Sequence, residues 1–211
     1  MCASPNGLMT TRASSRPVVL VHGIWDSSTR LEPLRAGLAS RGLAKATAID
    51  LLPNDGRAVI PLLAAQVAHA VDQAIATVDG DDRRVDVVGF SMGALVTRYY
   101  LQRGGGRSRV RRFVSISGPH HGTLNALALP LAGVRQMRPN SDLLRDLATD
   151  SDPWGPVEVH TVWTPYDLMI LPARSSKLPG ARSERVIPVK MHRWMITDPR
   201  VLDHVANLLL T

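Results

Sequence analysis

An apolar run, Val85-Asp86-Val87-Val88, leads straight into Gly89-Phe90-Ser91-Met92-Gly93 and then Ala94-Leu95-Val96-Thr97-Arg98-Tyr99-Tyr100-Leu101. A short β-branched run reads as a buried strand, and the last stretch reads as a helix. Only a sharp turn fits between them. The serine at its apex is forced into a strained backbone conformation, and the flanking glycines stand where a Cβ would collide as strand and helix meet. A small-residue pentad alone is a weak signal. Placed between strand and helix, it predicts a nucleophile elbow at Ser91.

The rest of the chain repeats the strand-helix rhythm. Candidate strands cover 17–21, 46–49, 85–89, 110–116, 157–163 and 184–189, and helices 31–41, 60–78, 92–102, 141–147 and 199–210. Continuous apolar strands alternating with longer helical patterns predict an α/β fold. Its sheet has about six strands, is mostly parallel, and carries helices on both faces with a small lid or none. Ser141 after Pro139, and Asp198 before Pro199, read as N-caps. The longest break in the rhythm, 120–155, is expected to run over the top of the sheet.

With 211 residues, the chain suits one domain burying roughly 70% of its unfolded surface. Residues 1–16 are polar, lack the basic start and apolar core of a signal peptide, and read as a disordered leader to a single domain over 17–211. Cytoplasmic residence is the expectation, or secretion if the true start lies upstream. The lone Cys2 cannot form an internal disulfide. No apolar run is long enough for a membrane span. The formal charge of +7 comes almost wholly from arginine, since Lys45, Lys177 and Lys190 are the only lysines. Arg107, Arg109, Arg111 and Arg112 cluster beside a Gly-Gly-Gly turn. They read as a solvated loop, or as a weak contact with an anionic membrane surface. Nucleic acid is not expected, because no base-stacking aromatics interleave the basic residues. Nothing points to an obligate protein partner.

A hydroxyl nucleophile needs an imidazole to take its proton and a carboxylate to hold that imidazole. In parallel sheets chemistry gathers beyond the carboxyl ends of the strands. The expected chain order is serine, carboxylate, histidine. Asp167 follows the strand ending at Trp163, whereas Asp150 and Asp152 lie in the excursion, Asp198 caps a helix and Asp50 precedes the serine. His192 follows the last strand. His204 sits inside a helix, as does His69, His160 lies within a strand, and His22 precedes the serine. Asp167 and His192 are therefore the candidates to complete a triad with Ser91. Two backbone amides are needed for the oxyanion. Met92 supplies one at a helix start, and the loop His22-Gly23-Ile24-Trp25 supplies the other, from Ile24 or else Trp25. This chemistry requires no cofactor and no metal.

Val19-Leu20-Val21-His22-Gly23-Ile24, the Ser91 pentad, the Asp167 loop and the His192 loop together resemble the bacterial class 2 lipases. That group includes the small, nearly lidless lipase of Bacillus and actinobacterial triacylglycerol lipase-like proteins. Ser117-Gly118-Pro119-His120-His121-Gly122-Thr123 and the stretch 137–147 look like segments of the same family. The resemblance implies a minimal α/β-hydrolase fold, a Ser91-Asp167-His192 triad, an oxyanion hole at Ile24 and Met92, and packing roles for His120 and His121. Phe90 departs from the pattern, since many relatives carry histidine there. The implied activity is a carboxylic ester hydrolase, lipase or esterase, acting on small-molecule or lipid esters. Trp25, Met169, Leu127 and Leu131 are the candidate substrate-binding residues. Thioesterase, phospholipase A and acyltransferase share this triad. A non-catalytic lipid- or partner-binding hydrolase fold is the remaining alternative.

Overall fold

A computed structural model describes residues 16–211, so the leader expected over 1–16 lies outside the described residues except for Arg16. Six strands form one sheet: β1 (Val18–Val21), β2 (Ala46–Ile49), β3 (Val85–Phe90), β4 (Val110–Ile116), β5 (Glu158–Trp163) and β6 (Ser183–Val186). Their spatial order is β2-β1-β3-β4-β5-β6. Every pairing is parallel, so the sheet is fully rather than mostly parallel among the described residues.

Successive side chains of a strand point to opposite faces, and both faces here are covered. Val19 and Val21 of β1 join Val87, Phe113 and Val159 against α2 (Ile60–Ile75) and α3 (Met92–Arg103). Val18 and Leu20 join Val88, Val114 and Val162 under α1 (Glu32–Ala39) and α6 (Pro199–Leu210). Two short helices, α4 (Ala132–Gln136) and α5 (Asp142–Leu147), lie in the excursion after β4. The two N-caps form: Ser141 Oγ accepts from the Leu144 amide, and Asp198 accepts from the Arg200 amide.

Several boundaries move for local reasons. β6 stops at Val186 instead of running to Val189, because Pro188 has no N–H to continue a ladder. Beyond it the Val189 amide donates to Thr164 Oγ1. α2 ends at Ile75, and its last turn tightens into bonds from Thr77 to Ala74 and from Val78 to Ile75. α4 was not expected from the sequence. Its packing depends on Gly133, where a Cβ would stand 2.1 Å from the Ala58 carbonyl oxygen.

Each arginine of the cluster at the start of β4 has a carboxylate partner. Arg107 pairs with Asp150, Arg109 with Asp72, Arg111 with Asp86 and Arg112 with Glu158. Asp86 is fully buried on β3, and Arg111 grips both its oxygens at 2.9 and 2.6 Å. Burial pushes the Asp86 carboxyl up from its usual range, against the pull of Arg111. Among the described residues no helix is long and apolar enough to cross a membrane.

Candidate active site

The loops after β1, β3, β5 and β6 converge beyond the carboxyl ends of the strands. Ser91 directly follows β3 and opens α3 with φ 55° and ψ −126°, a region that L-residues avoid. Such strain costs on the order of 1–3 kcal/mol and persists only where the surroundings enforce it. Here they do. A Cβ on Gly89 would come within 2.6 Å of Ala94 Cα, and one on Gly93 within 2.3 Å of the His22 carbonyl oxygen. The crossing of β1, β3 and α3 is therefore as tight as backbone allows. The Ser91 amide donates to the Ile116 carbonyl at 2.9 Å and ties the elbow to β4.

His192 follows β6 in a 3₁₀ turn (His192–Ile196) and Asp167 follows β5. The His192 Nδ1–H meets Asp167 Oδ2 at 2.7 Å. Asp167 is buried, and its other oxygen accepts the Met169 and Ile170 amides, each at 2.9 Å. This double anchor fixes the carboxylate, which in turn fixes the imidazole with Nδ1 protonated and Nε2 free to accept a proton. Phe90 packs on the same imidazole, with ring centroids 4.8 Å apart. Ser91 and His192 line one cavity, but no hydrogen bond joins them among the described residues. Catalytic pairs often tighten only around substrate.

The oxyanion candidates separate cleanly. The Trp25 amide donates to the Asn54 carbonyl at 2.7 Å and is not available. Neither Ile24 nor Met92 has an amide partner among the described residues. Gly23 brings their loop against the serine, since a Cβ there would lie 2.9 Å from Ser91 Cβ. His22, fully buried, holds the loop: its Nδ1–H donates to the Gly23 carbonyl at 2.7 Å, and its Nε2 accepts the Leu51 amide at 2.9 Å. That tautomer is neutral, so its 4.0 Å approach to Asp50 is not an ion pair.

Two cavities flank Ser91. The larger, about 570 Å³, is lined by His192 with Trp25, Phe90, Tyr166, Leu168, Met169, Met191 and Trp194. The smaller, about 60 Å³, is apolar and contains Ile24, Ala126, Leu129, Val134, Met137 and Ile170, but not His192. Trp25 and Met169 line both. Leu127 and Leu131 line neither. Residues 124–127 form a 3₁₀ turn, whose period of three turns Ala126 and Leu129 inward and leaves Leu127 59% exposed. Leu131 packs beside Gly56 instead.

Sequence reasoning missed Arg98. Its buried guanidinium donates to the carbonyls of His120 and Leu147, both at 2.9 Å, and locks the loop after β4 to α5. Burial pushes its pKa down to about 10, still a cation at neutral pH. The only signal was an arginine on the apolar face of a helix. His120 is buried against Ser115 Oγ at 2.7 Å while His121 is exposed.

A strained serine opening a helix beneath a fully parallel sheet defines the α/β-hydrolase fold. The palmitoyl protein thioesterase family matches residues 17–152, and the chain belongs to that family. Aspergillus fumigatus lipase B is similar in fold, with TM-score 0.77 at 21% identity over 93% of this chain and 52% of its own. The chain thus spans about half the length of that lipase. The mature lipase of Bacillus licheniformis gives TM-score 0.72 at 18% identity over 93% and 92% of the two chains. A thioesterase domain from the curacin biosynthetic pathway gives 0.62 at 17% identity over 94% and 93%. The family match and the shared fold agree on an α/β-hydrolase fold.

Proposed function

We propose that this chain is a serine carboxylic-ester hydrolase in which Ser91 is the nucleophile, His192 the general base and Asp167 its anchor. The observation that carries this reading is the strained Ser91. It shares a cavity with an imidazole whose far nitrogen is held by a buried carboxylate. In the first step Ser91 Oγ attacks the acyl carbonyl and His192 Nε2 takes its proton. The Ile24 and Met92 amides stabilise the oxyanion, with Met92 aided by the positive end of α3. His192 then gives the proton to the leaving group as the acyl–leaving-group bond breaks. Water, deprotonated by the same imidazole, cleaves the acyl-enzyme and restores Ser91. No cofactor enters any step.

The family match over residues 17–152 favours a second reading, thioesters as substrates on the same machinery. The test is hydrolysis of p-nitrophenyl esters from acetate to palmitate beside matched acyl thioesters, wild type against Ser91→Ala. Turnover is expected to fall by about 10⁴–10⁶ in the variant. Unchanged turnover would end the proposal. The relative rates of esters and thioesters decide between the two readings.

A further inference from the structure

We propose that the leaving group of the substrate carries a phosphate, recognised by Lys190 and Arg193. The inference rests on the hydrolase reading above and deepens it. His192 must protonate the departing atom, so the leaving group lies on the His192 side of Ser91. That side is the larger cavity, because the small apolar one does not reach His192. The acyl group then occupies the apolar side, and whatever fills the other half meets its charges.

Those charges are Asp26, Arg30, Lys190 and Arg193. Asp26 is answered by Arg30 at 4.0 Å. Lys190 and Arg193 are exposed, flank His192 in sequence, and have no acidic partner among the described residues. The cavity therefore holds two positive charges in excess. Other cations, Lys45, Arg83 and Arg185 among them, also lack a carboxylate partner among the described residues, but Lys190 and Arg193 are the two that line this cavity. Cations left unanswered beside the proton donor suit an anionic leaving group. A phosphate set back from the scissile bond also leaves room for the apolar wall of Trp25, Met191 and Trp194 to hold the linker.

Two sources share this chemistry: a phosphopantetheine-type thiol and a glycerophosphate lipid. In either case hydrolysis breaks the acyl–sulfur or acyl–oxygen bond. The water hydroxyl goes to the acyl carbon, and a proton goes to the thiol or alcohol.

The test compares kcat/KM for butyryl-coenzyme A with butyryl-N-acetylcysteamine, and for dibutyryl phosphatidylglycerol with dibutyrylglycerol. Each pair is run at low and high salt, for wild type and Lys190→Gln/Arg193→Gln. The phosphate-bearing member of at least one pair is expected to be preferred about tenfold, less so in high salt, and the variant is expected to lose that preference. Preference in the thioester pair identifies the thiol source, and preference in the lipid pair the glycerophosphate source. Equal rates within both pairs would overturn the proposal while leaving the hydrolase reading intact. So would a preference that survives the double substitution. No turnover of any substrate, with Ser91 unreactive to a fluorophosphonate, would remove the hydrolase reading and this inference with it.

Discussion

The two ends of the sheet treat charge and backbone in opposite ways. At the amino ends of β3, β4 and β5 the pairing shifts register at Val85/Asp86, but no described non-glycine residue there has a positive φ. Three arginines at that end are answered by carboxylates: Arg84 by Asp82, Arg111 by Asp86, Arg112 by Glu158. At the carboxyl ends, Trp25, Ser91 and Ser117 have φ of 57°, 55° and 47°, two amides lack partners, and two cations stand unanswered. Buried, paired charge is costly to disturb, whereas strained and unsatisfied groups persist only where the surrounding structure enforces them. One end of the sheet is thus built to be stable and the other, on the proposed function, to be reactive. A substitution should therefore change stability at one end and turnover at the other.

The largest effect expected is at the reactive end. Asp167→Asn should lower turnover of p-nitrophenyl butyrate by about 10⁴ while the protein stays folded, because the amide cannot hold the required imidazole tautomer. Loss of less than tenfold would separate Asp167 from the chemistry. At the stable end, Arg111→Ala leaves the buried Asp86 carboxylate without its partner and should cost about 3 kcal/mol. Thermal unfolding should then shift down by about 6–12 °C with little change in kcat. An unchanged melting temperature would break the contrast.

Gly23→Ala sharpens it further. The added methyl would reach Ser91 Cβ at 2.9 Å, so displacement of the serine should cost about 100-fold in kcat. Full activity would mean that the loop yields easily. The smallest effect concerns pH. Burial holds the His160 pKa down at about 4, below the roughly 6.5 expected when unfolded. Its contribution to stability is complete above pH 6.5 and is lost as pH falls towards 4, because the unfolded chain then binds a proton that the folded chain does not. Between pH 7 and 5, His160→Gln should flatten the fall in melting temperature by about 4–7 °C. Parallel curves for variant and wild type would remove His160 from the account.

The sheet was readable from sequence because continuous apolar runs such as Val18–Val21 leave a strand little choice of surroundings. Ser91, Asp167 and His192 could be singled out because chain order and position after a strand are local properties. The structure brings Asp167 and His192 into contact and sets Ser91 in the same cavity. Tertiary details were not readable. Leu127 is exposed and Ala126 buried because a 3₁₀ turn, not an α-helical period, orients that stretch. The arginines at the start of β4 read as a solvated loop, and the carboxylates that pair with them come from positions as distant as Asp72 and Glu158. Arg98 and His22 act by binding backbone carbonyls and amides of remote loops, contacts that leave no pattern of spacing.

The central claim is that Ser91 is the nucleophile activated by His192. Mass spectrometry of the intact protein and its peptides after fluorophosphonate treatment tests it most directly. The account predicts one adduct per chain on the peptide bearing Ser91, absent in Ser91→Ala and formed far more slowly in His192→Ala. An unmodified Ser91, or an adduct on another serine such as Ser117, would contradict it.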